Sequence, residues 1–394
     1  MTGPDRDADV VVVGLGALGS ATAWQLARRG IRVVGLERFE LGHVRGASHG
    51  DSRIIRLSYH TPAYVRRAKA AYAAWAELER EAGTGLVTVC GGVDLFPAGA
   101  AIPLADYAHS MAAEGVRCEH LDAATARRRW PALAVPDGVS VLFQERTGIV
   151  PASRGTATMQ ARARAHGAVL REHVRVSELT EGPHGGRVRS ADGSVLRARA
   201  AVVTADAWTN DVLAGLGLRL PLTVTKEHVV HYRVTDAAAY APGAFPVWIW
   251  MDDPSYYGFP HYGDLTAGPS VKVGQDCGGE PVDPDARTFD PEPGYLRRMG
   301  DAVRDLIPGT GGEARVTTCL YTLTPDRDLV AGTVPGHEQV VVGLGSAHGF
   351  KFAPWLGGVL ADLATTGRTG QDVAGRGLLR PALTDPAAPQ TWLV

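Results

Sequence analysis

Residues 8–37 constrain the fold more than any other part of the chain, because they follow the order strand, glycine turn, helix and second strand. Residues 10–13 are all valine, a β-branched run typical of a buried parallel strand. Residues 20–29 are rich in helix formers, and the second strand ends at Glu37. This order predicts a Rossmann-like βαβ unit. The turn has the spacing G-x-G-x-x-G, formed by Gly14, Gly16 and Gly19.

Each part of this motif has a physical task in binding a dinucleotide. Gly14 makes the tight turn, Gly16 allows a pyrophosphate to approach the backbone, and Gly19 allows the helix to pack on the strand. Glu37 lies about 20 residues beyond the glycines, where a carboxylate accepts hydrogen bonds from ribose hydroxyls. A lone G-x-G-x-x-G is often only a glycine turn. Here the strand before the turn, the helix after it and the acid at the expected distance all fit a dinucleotide-binding motif, so we expect a dinucleotide site.

Composition narrows the remaining classes of protein. At 394 residues the chain is long enough for two domains with sizeable cores. A net charge of -2 gives no electrostatic reason to expect a nucleic acid or a membrane as partner, and no apolar run is long enough to span a bilayer. The first nine residues are polar and acidic, unlike a secretory signal, and the four cysteines lack C-x-x-C or metal-ligand spacing. We therefore expect a cytoplasmic protein with reduced thiols.

The order of predicted elements indicates that the first domain is interrupted. A predicted helix over residues 63–82 is followed, from residue 86, by a change to the periodicity of strands. Buried-strand candidates at residues 200–204 and 339–344 return the chain to the first domain, before a helix over about residues 353–366. The sequence thus predicts an α/β (α+β) fold with two discontinuous domains. The Rossmann-like nucleotide domain comprises residues 1–85, 150–215 and 325–394, and the antiparallel β-rich substrate domain comprises residues 86–149 and 216–324.

Four motifs together are specific: GDSRIIR at residues 50–56, YYGFP at 256–260, CLYT at 319–322 and HGFKF at 348–352. With these motifs the chain resembles, over nearly its whole length, the monomeric sarcosine oxidase and N-methyltryptophan oxidase family. Members of this family are FAD enzymes of the D-amino-acid oxidase-like superfamily. The resemblance implies that the Rossmann-like domain binds FAD, and that the protein oxidises the C–N bond of a secondary or cyclic amino acid.

The resemblance also implies roles for single side chains. Cys319 matches the cysteine that carries FAD covalently, which requires a thiolate and so a low thiol pKa or a nearby cation. Lys272 matches the lysine under the flavin ring that promotes reaction with O₂, because a fixed ammonium stabilises superoxide. Arg56 and Lys351 match the pair that holds the substrate carboxylate. Arg53 matches an arginine that tunes the surroundings of the flavin ring.

Further residues are expected around the same site. Tyr257 and Tyr321 line it in the family, and His49 lies near the cofactor; outside these motifs, a core or surface role is the safer interpretation. Backbone amides at Gly349 and Phe350, before the last helix, would face the negative N1/C2 region of the reduced flavin. The residues expected to contact the cofactor are Gly14, Gly16, Gly19, Glu37, Ser48, His49, Ser52, Val176, Cys319, Gly349, Phe350 and Lys351.

The chain departs from the family at several positions. Asp276 stands where the family's sarcosine oxidases have a histidine, four residues after Lys272, and in this the chain resembles an antibiotic-pathway oxidase of piperideine-2-carboxylate. A carboxylate there can hydrogen-bond the substrate nitrogen or alter its protonation. Trp250 replaces a smaller residue, which leaves the pocket size open, and Asp206 replaces a glycine near the adenine side. The expected catalytic residues are Lys272, Arg53, Asp276 and Tyr257, and the expected substrate contacts are Arg56, Lys351, Tyr321 and Trp250.

The motifs and the resemblance predict an FAD-dependent amine oxidase. It would convert a secondary or cyclic amino acid to an imine and reduce O₂ to H₂O₂, as a monomer. Three other classes stay open: an FAD dehydrogenase that uses another electron acceptor, a nicotinamide-dependent dehydrogenase, and a non-catalytic FAD-binding protein. The sequence does not name the amine.

Overall fold

The computed structural model describes residues 6–182, 185–263 and 268–391. Its strands are β1 (Ala8–Val13), β2 (Val33–Leu36), β3 (Arg53–Ile55), β4 (Thr88–Val89), β5 (Gly92–Phe96), β6 (Glu119–Leu121), β7 (Ser140–Gln144), β8 (Gly148–Val150), β9 (Val169–Arg171), β10 (Val176–Gly182), β11 (Gly185–Ser190), β12 (Val195–Val203), β13 (Thr223–Val234), β14 (Val247–Trp250), β15 (Tyr256–Phe259), β16 (Ser270–Gln275), β17 (Glu280–Pro281), β18 (Thr310–Leu323), β19 (Val330–Val334) and β20 (His337–Leu344). Its α-helices are α1 (Ala17–Ala27), α2 (Pro62–Ala82), α3 (Leu104–Ala113), α4 (Ala123–Arg129), α5 (Ala152–Ala165), α6 (Thr209–Leu213), α7 (Pro293–Leu306), α8 (Ala353–Thr366) and α9 (Pro381–Thr384).

A mainly parallel sheet forms around β1, whose valines are buried on both faces. Strands β9, β2, β1, β12 and β20 run parallel in that order, β19 pairs antiparallel with β20, and the β10–β11 hairpin pairs with β12. Helices α1, α5 and α8 pack together over one face. Because the strands are parallel, the loops that follow β1 and β2 open at the same edge of the sheet, where ligands bind in such folds.

A second sheet is mainly antiparallel. Its order is β17–β13–β16–β15–β14–β5–β7–β6; β18 pairs along most of β13, and β14 and β5 run parallel. Helix α7 packs on it through its apolar face, which carries Tyr295, Met299 and Val303. Strands β16 and β18 both pair with β13, so the chain positions Lys272 and Cys319 in one region of this sheet. A small sheet of β3, β8 and β4 carries Arg53.

The predicted fold class is confirmed, since a Rossmann-like parallel sheet is combined with a mainly antiparallel one. Helices α2 and α8 lie where the sequence predicted them, whereas α1 begins at Ala17 rather than at residue 20, because Gly16 already serves as its N-cap. The residue limits of the two domains stay a prediction. Within the described ranges, no helix combines the length and the apolar character needed to cross a membrane.

Candidate active site

The glycine turn after β1 is packed too closely to accept side chains. Gly14 has a φ of +91°, and a Cβ on Gly19 would lie 1.8 Å from the Gly14 oxygen, so α1 rests directly on the turn. A Cβ on Gly16 would lie 3.0 Å from Ser48 Oγ, which accepts a 2.9 Å hydrogen bond from the backbone N–H of Ala17. The turn therefore presents the N-terminus of α1 at close range, the arrangement that binds a pyrophosphate.

Glu37 lies beside this turn and is 5% exposed. Its carboxylate accepts hydrogen bonds from the backbone N–H groups of Leu15 (2.8 Å) and Phe39 (3.1 Å), and it lies 3.4 Å from His43 Nε2. Burial would raise the pKa of Glu37, but these hydrogen bonds outweigh burial and hold it below its usual value. The group is thus an ionised acceptor, suited to ribose hydroxyls.

Three adjoining cavities extend from the turn to the second sheet. The first is a cleft lined by the glycine turn, Glu37 and Val176. It shares Gly16 and Ser48 with a narrow middle cavity. Connected cavities that begin at a glycine turn fit an extended dinucleotide such as FAD. The middle cavity shares with the third, which we call the substrate cavity, the residues Arg53, Tyr321, Ala347 and Phe350.

Lys272 lines the substrate cavity and is 6% exposed. Its ammonium donates to Ser52, at 2.8 Å to the backbone oxygen and 3.1 Å to Oγ, and lies 4.6 Å from the centre of the Phe259 ring. Burial, and then the charge of Arg53, hold the pKa of Lys272 well below its usual range. A buried amine of this kind gains its charge most easily when an anion forms beside it.

Arg53 is fixed by the loop that precedes it. Its guanidinium donates 2.8 Å hydrogen bonds to the backbone oxygens of Ser52, Ala47 and His49, and it lies 5.9 Å from the Phe350 ring centre. The cation therefore has a constant position between the middle and substrate cavities. Burial and then Arg53 lower the pKa of His49 to about 4, so this imidazole is neutral. Its buried Nε2 has no hydrogen-bond partner within the described part of the chain.

Cys319 lies on β18, directly opposite Glu227 on β13, and lines the substrate cavity. Burial raises the pKa of its thiol, and the charges of Arg53 and Lys272 offset only part of that effect. Of the two expected features, a low thiol pKa or a nearby cation, the structure has the second, because Arg53 and Lys272 lie close enough to lower the pKa of Cys319. The charge of Glu227 acts in the opposite direction to these cations and also raises the pKa of Cys319.

Arg56 is a buried cation of the substrate cavity, and its surroundings include a carboxylate that the sequence did not indicate. Its guanidinium lies 3.7 Å from Asp94 Oδ1 and 4.6 Å from the Tyr59 ring centre. Asp94 sits on the central strand β5 and is 5% exposed. Burial raises the pKa of Asp94, whereas Arg56 opposes the rise. A buried guanidinium needs such a counter-ion, so Asp94 compensates Arg56 when no ligand is bound.

Lys351 follows His348 in a 3-10 turn, Gly349–Phe352, that leads directly into α8. Its backbone oxygen accepts a 2.8 Å hydrogen bond from Trp75 Nε1, while its ammonium lies 6.0 Å from the Tyr59 ring centre. The ammonium has no hydrogen bond or ion pair among the residues that the structure describes. Burial, and then the charge of Arg56, lower the pKa of Lys351 to about 7.

Asp276 also lines the substrate cavity, and Arg327 holds it. The Arg327 guanidinium donates to both carboxylate oxygens of Asp276, at 2.8 and 3.2 Å. Arg327 is 1% exposed and lies in the turn between β18 and β19. The sequence analysis missed Arg327 and Asp94, because each becomes part of the site only through a pairing between distant segments. The sequence signal that could have pointed to Asp94 is a charged residue within the otherwise apolar strand GVDLF.

The remaining predicted side chains divide into two groups. Tyr257 and Tyr321 line the substrate cavity, and burial raises the pKa of both above their usual value. Trp250 does not line it and instead packs against the core of the second sheet. The expectation of a substrate contact at Trp250 is thus corrected, because side chains alternate along β14 and Ile249 and Met251 face the cavity.

The other predicted cofactor contacts lie along the cavities. Gly349 and Phe350 line the middle cavity, and Ser52 reaches the site through Lys272. Asp206 lines both the first and middle cavities and has a φ of +47°, a left-handed conformation that glycine favours and aspartate tolerates.

Comparison with known proteins agrees with this architecture. The profile of the family described as FAD dependent oxidoreductase (DAO) matches residues 9–363. The monomeric sarcosine oxidase of Bacillus sp. (strain B-0618) is 31% identical over 384 residues, which cover 96% of this chain and 97% of that protein. The peroxisomal sarcosine oxidase of Homo sapiens is 31% identical over 361 residues, covering 90% of this chain and 92% of that protein.

A solved structure extends the comparison to the fold. The open form of NikD, described as an unusual amino acid oxidase essential for nikkomycin biosynthesis, matches with a TM-score of 0.82 and 30% identity over 98% of both chains. The glycine cradle, the connected cavities and these matches over nearly the full length lead to one assignment. The chain belongs to the DAO family of FAD-dependent oxidoreductases.

Proposed function

We propose that this protein is an FAD-dependent amine oxidase that converts a secondary or cyclic amino acid to an imine and passes the electrons to O₂. The observation that carries this proposal is that Arg56, Lys351 and Lys272 line one cavity that adjoins the dinucleotide cleft. The substrate class rests on the relatives, which are named as sarcosine oxidases, and on a similar structure named as an amino acid oxidase. The relatives described as monomeric favour a monomer.

Arg56 and Lys351 bind the substrate carboxylate in this proposal. A guanidinium offers a planar fork of donors, and an ammonium adds a point charge from a second direction. Lys351 suits this task because it lines the cavity and its ammonium has no hydrogen bond or ion pair within the described ranges. Asp276, on the same cavity, accepts a hydrogen bond from the substrate nitrogen. FAD, when bound, supplies the acceptor for the hydride that leaves the carbon next to that nitrogen.

Lys272 serves the second half of the reaction, in which O₂ is reduced to H₂O₂. Electron transfer to O₂ creates negative charge, and a lysine fixed by Ser52 stabilises that charge without reorganisation. An FAD dehydrogenase that uses another acceptor has no need for this cation. The role of Lys272 therefore separates the two candidate functions.

Cys319 is the proposed point of covalent FAD attachment. Its place on the wall of the substrate cavity, beside the middle cavity, supports this assignment. Acid precipitation of the purified protein tests it, because covalent flavin stays in the pellet. Flavin that moves to the supernatant in Cys319→Ala, but not in the wild type, is the expected result. Release from the wild type would contradict the linkage and leave FAD binding intact.

The function itself is tested by screening cyclic and N-methyl amino acids for loss of flavin colour without O₂ and for H₂O₂ formation with O₂. In Lys272→Met we expect reduction by the amine to change by less than about tenfold and reoxidation by O₂ to slow by at least about 100-fold. Lys226→Met is a matched control, because Lys226 is equally buried in the second sheet but pairs with Glu292. Unchanged reoxidation in Lys272→Met would favour the dehydrogenase, and flavin that no amine reduces would favour a non-catalytic protein.

A further inference from the structure

Arg327 has an unusual backbone position that two hydrogen bonds of its main chain hold in place. Its φ is +53°, in the left-handed region that residues with a Cβ rarely adopt. Its N–H donates to the Thr324 oxygen at 3.0 Å, and its own oxygen accepts a 2.8 Å hydrogen bond from His348 Nε2. Since His348 lies three residues before Lys351, Arg327 joins its own turn to the segment that carries a proposed carboxylate ligand.

The guanidinium of Arg327 pairs with Asp276, and both residues line the substrate cavity. Both Asp276 oxygens accept from it, in the bidentate geometry that fixes the plane of a carboxylate. The backbone N–H of Asp276 donates to the Ser255 oxygen at 2.9 Å, so the main chain is held as well. The Asp276 side chain nevertheless keeps 31% of its surface exposed, and it lines the substrate cavity.

A carboxylate held in this way remains an acceptor on its free side. Each carboxylate oxygen has two lone-pair positions, and the bidentate pair occupies one on each oxygen. Asp276 and Lys351, the proposed carboxylate ligand, line the same cavity, and the charge of Asp276 raises the pKa of that lysine. An α-amino acid bound through its carboxylate thus has its nitrogen within the same part of the cavity.

We propose that Arg327 is a positioning residue that orients Asp276 as an acceptor for the substrate N–H, and that the site therefore selects amino acids whose nitrogen carries a hydrogen. This inference rests on the proposed amino acid oxidase function. An ether oxygen or a tertiary amine in place of the N–H offers no donor, so that a lone pair or an alkyl group faces the Asp276 carboxylate. Such compounds are rejected even when their carboxylate and ring shape are the same.

Two planar acids that the enzyme cannot dehydrogenate at an amine carbon, pyrrole-2-carboxylate and furan-2-carboxylate, test this selection. They have similar shape and differ in an N–H against an oxygen, and their binding to the FAD-loaded protein is followed by the change in flavin absorbance. We expect the wild type to bind the pyrrole about 10- to 100-fold more tightly than the furan. In Arg327→Met the affinities for the two acids should differ by less than about threefold, mainly because the pyrrole binds more weakly.

Arg380→Met is the matched control. Arg380 forms a bidentate pair with Asp326, next to Arg327 in the chain, at 2.7 and 2.9 Å, and neither Arg380 nor Asp326 lines the cavity. This variant should keep the wild-type ratio even if it unfolds at a lower temperature. If Arg327→Met does not fold, Asp276→Asn tests the same point, because Arg327 would hold the amide oxygen and turn the amide N–H₂ to the cavity. The preference should then disappear or reverse in favour of the furan.

Equal affinity of the wild type for both acids would overturn the inference, as would an unchanged ratio in Arg327→Met and Asp276→Asn. An equal loss of affinity for both acids in Arg327→Met would also overturn it, because Arg327 would then bind the carboxylate. The ratio does not depend on turnover. A protein that shows the ratio but oxidises no amine would refute the proposed function alone, whereas amine oxidation without the ratio would refute this inference alone.

Discussion

Lys351 should make carboxylate binding depend on pH, and the sign follows from its surroundings. Burial and the neighbouring Arg56 lower the pKa of Lys351 to about 7 in the ligand-free protein. Below that pH the ammonium is already charged when a carboxylate arrives, so affinity is constant. Above it, binding must be accompanied by uptake of a proton. Affinity should therefore fall as the pH rises through 7 and level off when the pKa of Lys351 in the complex is passed.

The size of the effect follows from the charge that the ligand brings. A carboxylate in contact with a buried ammonium raises its pKa by about one to three units. Each unit corresponds to about 1.4 kcal/mol, or a tenfold change in Kd. A shift of about two units thus weakens binding by about 100-fold in all, from below about pH 6 to above about pH 10, and by about 25-fold between about pH 7 and about pH 9. Furan-2-carboxylate is a suitable probe, because it stays an anion over this range and lacks an ionisable nitrogen.

The assay is a titration of flavin absorbance with furan-2-carboxylate at a series of pH values, in the wild type and in Lys351→Met. The variant should bind more weakly at low pH and show a flat profile. Lys226→Met should keep the wild-type profile. Glu227 is the competing group, since burial raises its pKa to about 7 as well. A pH dependence that persists in Lys351→Met would assign the titration to Glu227 or another group and refute our reasoning.

Three further changes have defined outcomes. Gly19→Ala should abolish FAD binding, seen as loss of visible absorbance in the folded protein, because the new Cβ would lie 1.8 Å from the Gly14 oxygen. Asp94→Asn removes the counter-ion of Arg56, so the midpoint of the Kd–pH profile should move down by about one pH unit; an unchanged midpoint would contradict that role. Lys351→Met should raise the free energy of unfolding at pH 7 by about 1–3 kcal/mol in urea titrations, because a buried cation is removed. This gain should shrink towards about pH 10, where the unfolded lysine also loses its proton, and a gain that does not vary with pH would argue for a packing effect.

The sequence predicted the parts of the site whose residues lie close together in the chain. The glycine turn, the helix that follows and Glu37 lie within 30 residues, so spacing alone placed them around one cleft. Lys272 and Cys319 are 47 positions apart in the chain, and only the family motifs predicted that they share a site. In the structure, the pairing of β16 and β18 with β13 brings both residues to one cavity. Trp250 falls in the predicted β-rich domain, but the sequence does not say which face of its strand is turned to the cavity, and the tryptophan lies on the opposite face, against the core.

The residues that the sequence did not reveal are the counter-ions. Asp94 and Arg327 carry no motif, and their importance arises from Arg56 and Asp276, which lie 38 and 51 positions away in the chain. Buried charges must be paired, so each predicted ligand of an ionic substrate implied a partner that the sequence could not identify. Lys351 is different, because within the described ranges its ammonium has no hydrogen bond or ion pair. Burial and the charge of Arg56 lower its pKa, and a substrate carboxylate is the anion that would complete its surroundings. In the proposed function, the same lack of an anionic partner that destabilises the empty site would provide affinity for an amino acid.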